Sequence, residues 1–132
     1  MRTVRRSYTE QRYSEAVPAA PIDQLPLSVP AFQILLSLVG QDLHGYAIVK
    51  DIETRTEGEV SLTASTLYGA IARMLDAGLL EERDANSESP RRRTYRLTRA
   101  GRRLLEREAE RLARAAEWAA AKRLLPQARG SR

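Results

Sequence analysis

The sequence contains 132 residues, of which 42% are hydrophobic and 30% charged, as expected for one compact globular domain. Cysteine is absent, which excludes a disulfide framework. Histidine occurs once, which leaves too few ligands for a typical zinc or iron site, so we expect no cofactor. No apolar run approaches the roughly 18 residues of a membrane span, and the N-terminus lacks the apolar stretch of a secretory signal, so we expect a cytoplasmic protein without a membrane partner.

Positive charge is concentrated in the second half of the chain. The formal net charge is +5, and arginine supplies all but two of the 22 basic residues. Residues 63–103 carry nine arginines against five acidic residues. Arginine forms bidentate contacts with phosphate groups and guanine edges, which suits nucleic acid. A GC-rich genome explains an arginine excess equally well, so the position of the charge is more informative than its total.

Residues 1–25 lack helical or strand periodicity and contain Pro18 and Pro21, so we predict a flexible basic N-terminal arm. We favour an inert tail for this segment. The alternative is an arm that enters a DNA groove, as homeodomain arms do. Four arginines are available for that contact: Arg2, Arg5, Arg6 and Arg12.

Two short helices follow the arm. Ser28 is a favourable N-cap and apolar residues recur after it at spacings of three and four, so the first helix is predicted over residues 29–39, with Gly40 as its stop. The second helix is predicted over residues 45–57, and we assign His44 a structural role at its start.

A third helix is predicted over residues 64–76, because residues 63–66 (TAST) offer hydroxyl caps for its start and Gly78 is the expected C-cap. One of its faces is apolar, and the other carries small residues and one long cation: Ser65, Thr66, Gly69 and Arg73. Small residues let a helix backbone approach base edges in the major groove of DNA, so we predict a recognition helix. Tyr68 lies on its flank, and donation to a phosphate and packing in the core are two equal alternatives for it.

A β-hairpin is predicted next, with strands over residues 79–84 and 93–97 and a polar loop between them. Three consecutive arginines close the loop: Arg91, Arg92 and Arg93. Such a triplet is often a solvated turn, but its position beside a recognition helix favours contact with DNA phosphates.

Thr98 caps a long final helix, predicted over residues 99–124 and halted by Pro126. Small and apolar residues recur along it at heptad spacing: Leu105, Ala109, Leu112, Ala116 and Ala119. The small preceding domain is too short to bury a seam of this length, so we expect a second copy of the helix as its partner. The alternative is a helix that folds back on its own domain.

The predicted fold is therefore mainly α with a small β-hairpin: a winged helix-turn-helix plus a long C-terminal dimerisation helix. The corresponding boundaries are residues 1–25 for the arm, 26–98 for the DNA-binding domain, 99–125 for the dimerisation helix and 126–132 for a tail. The expected partners are double-stranded DNA and a second copy of the chain.

Four successive motifs resemble signatures of the PadR family of transcriptional regulators: residues 43–46 (LHGY), 66–68 (TLY), 74–80 (MLDAGLL) and 93–101 (RTYRLTRAG). Each motif is weak alone, but their order and gaps make the resemblance fairly specific. It implies a dimeric repressor on a pseudo-palindromic operator, often released by a small aromatic effector. Gly69 departs from the family pattern, which commonly has proline at that position.

The resemblance also implies an effector pocket at the dimer interface, lined in some members by an aromatic residue of the last helix. Trp118 is the candidate here, one residue off the heptad seam. We favour a packing or interfacial role for it.

Two other classes of function compete with DNA binding. The main alternative is a winged-helix adaptor for protein–protein interaction, but an adaptor has no need of a basic hairpin beside a helix face of small residues. An enzyme is disfavoured because the sequence has no glycine-rich phosphate loop and no paired-carboxylate motif. We therefore predict no catalytic residue.

Overall fold

The computed structural model describes residues 22–83 and 93–126. In chain order, its elements are α1 (Val29–Ser37), β1 (Leu43–His44), α2 (Gly45–Arg55), α3 (Ala64–Asp76), β2 (Leu80–Arg83), β3 (Thr94–Leu97) and α4 (Arg99–Ala121). The predicted fold class is confirmed: a mainly helical chain with a small antiparallel sheet and a long C-terminal helix. Within the described residues, no helix combines the length and the apolar character needed to cross a membrane.

Side-chain caps begin the helices where the sequence predicts them. The hydroxyls of Ser28 and Thr98 each accept a backbone N–H from the first turn of α1 and of α4, at 3.2 and 3.0 Å. His44 Nδ1 accepts the Ala47 N–H at 3.4 Å, which confirms its structural role at the start of α2. These caps satisfy N–H groups that have no partner within the helix.

Three helices end earlier than predicted, at Ser37 for α1, Arg55 for α2 and Ala121 for α4. The residues beyond these ends form the tighter hydrogen bonds between residues three apart that often close a helix. The bounds of α3 agree with the prediction, and Gly78 follows it with a φ of 77°. That left-handed conformation is readily adopted only by glycine, so Gly78 stops the helix as expected.

A third strand accompanies the predicted hairpin. β2 pairs with β3 as expected, with Leu80 opposite Leu97, and β1 pairs with the other edge of β3, with Leu43 opposite Tyr95. β1 was not predicted because two residues are too few to show the alternation of a strand. Since β1 leads directly into α2, the sheet holds the start of α2 beside the stem of the wing.

The core lies between the first three helices, the sheet and the first turns of α4. Its most buried apolar residues come from all of these parts: Ala31, Ile34, Leu35, Leu38, Ile48, Ile52, Leu67, Ala70, Ile71, Met74, Leu79, Leu80, Tyr95, Leu104 and Leu105. Leu105, the first residue of the predicted heptad seam, therefore packs within its own domain.

The segment before α1 is part of the folded domain. Ile22 and Leu25 are half-buried against the core, and the Leu27 N–H donates to the buried Glu108 carboxylate at 3.1 Å. The predicted arm therefore includes a few residues, from Ile22 onward, that pack on the domain. The rest of the arm, with its four arginines, lies outside the described residues, as does the predicted tail after residue 126.

Candidate nucleic-acid interface

The exposed face of α3 brings together four of the predicted DNA-binding residues. One side of the helix is buried in the core, and the other exposes Ser65, Thr66, Gly69 and Arg73. A Cβ added at Gly69 would meet nothing within 4 Å, so this face is open. Because only Arg73 is long, a ligand can approach the helix backbone over its first two turns.

A pair of hydroxyls at the start of α3 leaves one donor free on this face. The Thr63 hydroxyl accepts the Thr66 N–H and donates its own hydrogen to the Thr66 hydroxyl, both at 3.1 Å. The Thr66 oxygen is therefore held in place as an acceptor, and its hydrogen remains free to donate outward. A positioned outward donor suits a base edge or a phosphate oxygen.

Tyr68 lies where α3 meets the start of α2. Its ring packs on Gly45 so closely that a Cβ there would collide with the ring and its hydroxyl, yet 40% of Tyr68 is exposed. Tyr68 therefore packs against the start of α2 and remains partly exposed to solvent. The contact also explains the glycine of the 43–46 motif, since any larger residue would displace Tyr68.

Of the three wing arginines, Arg91 and Arg92 lie outside the described residues. Arg93 is half-buried, and its Nη1 lies 3.4 Å from the Glu82 carboxylate of β2. Its Nε is buried without a hydrogen-bond partner among the described residues. On β3, burial raises the pKa of the Tyr95 phenol above its ordinary value, and the negative charge of Glu82 adds a smaller increase. Arg93 is therefore partly engaged with the sheet, at the stem of the wing.

The return from the wing is tied to the end of α3. The Thr98 hydroxyl donates to the Gly78 carbonyl at 2.7 Å, and the Thr98 N–H donates to the Leu79 carbonyl at 3.1 Å. Gly101 packs so closely on the Leu79 carbonyl that a Cβ would overlap it. The threonine and the glycine of the 93–101 motif thus fix α4 against the residues that follow α3.

The second half of α4 extends beyond its own domain. Three residues of the predicted seam are exposed, Ala109, Leu112 and Ala116, and Ala119 is half-buried. Trp118 is 70% exposed on the same part of the helix. Leu124 and Leu125, just after the helix, are also exposed. The described part of the chain leaves this apolar surface uncovered.

Glu108 is a structural residue that the sequence reasoning missed. Its carboxylate is 2% exposed and accepts the Leu27 N–H and two guanidinium bonds from Arg111, at 2.7 and 3.0 Å. The Arg111 hydrogen bonds outweigh the opposing effect of burial and hold the pKa of Glu108 below its ordinary value. Its position was the available signal, because it follows Leu104 and Leu105 by one turn on the buried stripe of α4.

Comparison with known proteins identifies the family to which this arrangement belongs. The pattern of the transcriptional regulator PadR-like family matches residues 34–107, more than half of the chain. The chain belongs to this PadR-like family. The matched region runs from α1 through the wing to the buried part of α4, so it contains both the α3 face and the joint at Gly101. Members of the family are transcription regulators and not enzymes, in agreement with the prediction.

Solved structures and one curated sequence are similar to this PadR-like chain. A transcriptional regulator from Clostridium thermocellum is 30% identical, with a TM-score of 0.55, over 73% of this chain and 87% of that one. A PadR family transcription regulator from Clostridium difficile is 28% identical, with a TM-score of 0.54, over 68% of this chain and 95% of that one. An uncharacterized 37.1 kDa protein in a transposon of Streptomyces fradiae is 43% identical over 81 residues, and the chain covers only 22% of its length.

Proposed function

We propose that this PadR-like protein represses transcription as a homodimer that inserts α3 into the major groove of a pseudo-palindromic operator. The exposed α3 face carries the proposal. Ser65 and Gly69 are small, so DNA can approach the backbone of α3 closely. Thr66 presents its free hydroxyl hydrogen, and Arg73 extends from the helix one turn after Gly69. An arginine fork reads the O6 and N7 acceptors of guanine in this groove, so Arg73 is the residue assigned to base recognition.

We assign the contacts with DNA phosphates to the arginines of the wing. Arg91 and Arg92 are the proposed phosphate ligands of the loop, whereas Arg93 is shared between DNA and its ion pair with Glu82. Phosphate contacts release bound counterions, so affinity is expected to fall steeply as salt concentration rises. They position the protein on the duplex and do not select a sequence.

Fluorescence anisotropy with DNA from upstream of the protein's own gene tests the proposal, with a scrambled duplex of the same length beside it. Wild type should prefer the upstream DNA, and Arg73→Gln should reduce that preference by roughly tenfold or more because a bidentate base contact is worth about 1–3 kcal/mol. Arg107→Gln removes an exposed arginine of α4 and should leave the preference intact.

Failure of wild type to prefer any upstream sequence at low salt would count against the repressor and leave the protein-interaction adaptor as the better explanation. An Arg73→Gln variant that discriminates like wild type would remove the assignment of α3 as the reading helix.

The proposed dimer forms along the second half of α4. Leu112 is 38% exposed at the centre of the remaining seam, and a second α4 would cover it together with Ala109 and Ala116. Light scattering should give wild type a mass of twice 14.8 kDa. Leu112→Glu should shift the mass toward the monomer, whereas Arg114→Glu places the same charge on another side of the helix and should not. A monomeric wild type would contradict this assignment.

Trp118 remains the candidate for the effector contact that the family resemblance implies. Its exposed indole lies on the proposed dimerisation helix, where an aromatic ligand bound between subunits would quench its fluorescence. Titration with phenolic acids and larger planar aromatics is the test. A flat response across the panel would restrict Trp118 to contacts between the subunits.

A further inference from the structure

A basic pocket of about 380 Å³ lies where the turn after α1, the end of β3 and the start of α4 meet. Leu38 and Leu97 form the apolar part of its lining. Three arginines and one acidic residue supply the charged part: Arg96, Arg99, Arg102 and Asp42. Sites for small molecules usually measure about 300–1,000 Å³, so the pocket has room for a small ligand.

Neighbouring carboxylates neutralise only part of this positive charge. Asp42 accepts hydrogen bonds from Nε and Nη2 of Arg96, at 3.4 and 3.2 Å, which leaves the donors of Nη1 to another acceptor. Arg102 pairs with Glu106 at 3.2 Å, and Glu106 lies outside the lining. Both pairs are exposed and contribute little stability, so a stronger acceptor can compete for these arginines. Among the described residues, Arg99 has no carboxylate within ion-pair distance.

The pocket is separate from the surfaces assigned to DNA. β3 begins after the wing loop and ends at Leu97, so the pocket lies at the opposite end of the strand from the wing arginines. No residue of α3 belongs to the lining. The contacts with DNA proposed above therefore do not use these three arginines.

We propose that this pocket binds a small phosphate ester. Three guanidinium groups and one carboxylate give the lining an excess of two positive charges. A phosphate monoester carries about −1.5 to −2 charges at pH 7 and balances this excess, and the arginine fork matches its oxygens. Thr98, the N-cap of α4, is also in the lining, so the dipole of this 23-residue helix adds to the attraction. The organic part of the ester packs on Leu38 and Leu97.

Isothermal titration calorimetry of the full chain, without DNA and in a phosphate-free buffer, tests the site with monobutyl phosphate as the probe. Pentanoate, with a similar chain but one negative charge, should bind at least tenfold more weakly. Arg96→Gln and Arg99→Gln should each weaken binding of monobutyl phosphate by roughly tenfold, because each removes a hydrogen bond between charged groups. Arg103→Gln is the matched control, because it removes the same charge from an exposed position of α4 outside the lining, and should bind like wild type.

The three replaced arginines are exposed, so all variants are expected to keep the wild-type circular dichroism. Absence of monobutyl phosphate binding to wild type would overturn the proposal. Equal weakening in Arg99→Gln and Arg103→Gln would also overturn it, since it would show a general attraction of a basic surface for anions. Pentanoate that binds as tightly as monobutyl phosphate would remove the assignment of a phosphate group.

This inference does not depend on the proposed function, because the titration contains no DNA. If wild type binds monobutyl phosphate and shows no preference for upstream DNA, only the proposed function is wrong. In anisotropy with that DNA, Arg96→Gln and Arg99→Gln should keep the wild-type dependence on salt, because the pocket lies outside the surface assigned to DNA. A weaker salt dependence in these two variants alone, without monobutyl phosphate binding to wild type, would overturn the pocket and assign its arginines to DNA.

Discussion

Replacement of the buried Glu108 carboxylate is expected to weaken the joint between the segment before α1 and α4. The carboxylate accepts the Leu27 N–H at 3.1 Å and two hydrogen bonds from Arg111. Glu108→Gln keeps the volume and one acceptor oxygen, so the Leu27 contact survives. The other end becomes an NH₂ group that faces the guanidinium of Arg111, donor against donor.

The size of the effect follows from these contacts. Loss of a hydrogen bond between charged partners costs about 1.5–3 kcal/mol. The Arg111 side chain is 38% exposed, so water recovers part of this loss and we expect about 1.5 kcal/mol for Glu108→Gln. Glu108→Ala also leaves the buried Leu27 N–H without its acceptor, which adds about 1–3 kcal/mol. We therefore expect about 3 kcal/mol in total for the alanine variant.

Acid should diminish the difference between Glu108→Gln and wild type. The Arg111 hydrogen bonds lower the pKa of Glu108 in the folded chain. The stabilisation is therefore fully present above the pKa of the unfolded chain, about 4.3, and is lost as the pH falls from there through the lower folded pKa. The difference in unfolding free energy is expected to be largest at neutral pH and to shrink in acid.

Urea unfolding followed by circular dichroism measures these differences as shifts of the midpoint at unchanged slope. The protein concentration is held constant because dimerisation would also change the apparent stability. Glu110→Gln, an exposed glutamate on the same helix, is the control and should stay within about 0.5 kcal/mol of wild type. A Glu108→Gln penalty no larger than that of the control, or one that is the same at neutral and acid pH, would refute the account of this joint.

Three glycine substitutions test two close contacts and the open face of α3. Gly101→Ala places a methyl group against the Leu79 carbonyl and should cost about 2 kcal/mol in urea unfolding, so wild-type stability would contradict the close approach. Gly69→Ala meets nothing within the chain and should stabilise the protein by about 0.5–1 kcal/mol while it lowers operator affinity in anisotropy. A stabilised variant with full affinity would show that DNA does not approach Gly69. Gly45→Ala should displace the Tyr68 ring and lower operator affinity, and unchanged affinity would show that the position of this ring does not matter for DNA.

The parts of the fold that the sequence predicts well are those with local signals. α3 begins after the Thr63 hydroxyl cap and ends before Gly78, and both signals lie within a few residues of the boundaries they set. The exposed face of α3 follows from the same local periodicity, because burial of Leu67 and Ile71 fixes which side of the helix faces solvent. For this reason Thr66 and Arg73 could be placed on one face before the structure was known.

Residues whose role depends on distant partners could not be assigned in this way. β1 exists only because Leu43 pairs with Tyr95, more than fifty residues away, and Glu108 is satisfied by an amide of the segment before α1. Leu105 fits the heptad spacing, but that spacing cannot distinguish a helix face that packs on its own domain from one that packs on a second copy. The seam stops packing on its own domain between Leu105, which is buried, and Ala109, the next seam residue, which is exposed.

These contacts explain the family motifs in physical terms, because most of the motif residues fix the positions of neighbouring helices and side chains. Gly45 leaves room for the Tyr68 ring, and Thr98 and Gly101 fix the start of α4 against the residues that follow α3. In a dimer joined through α4, a rigid contact between α4 and the end of α3 means that the dimer interface sets the distance between the two copies of α3. Half-sites on DNA recur about every 34–36 Å, one helical turn, so a flexible joint would weaken the match to any fixed spacing. A close glycine–carbonyl contact at the joint is therefore what a dimeric reader of a palindrome requires, and operator affinity should suffer in Gly101→Ala even where the α3 face itself is unchanged.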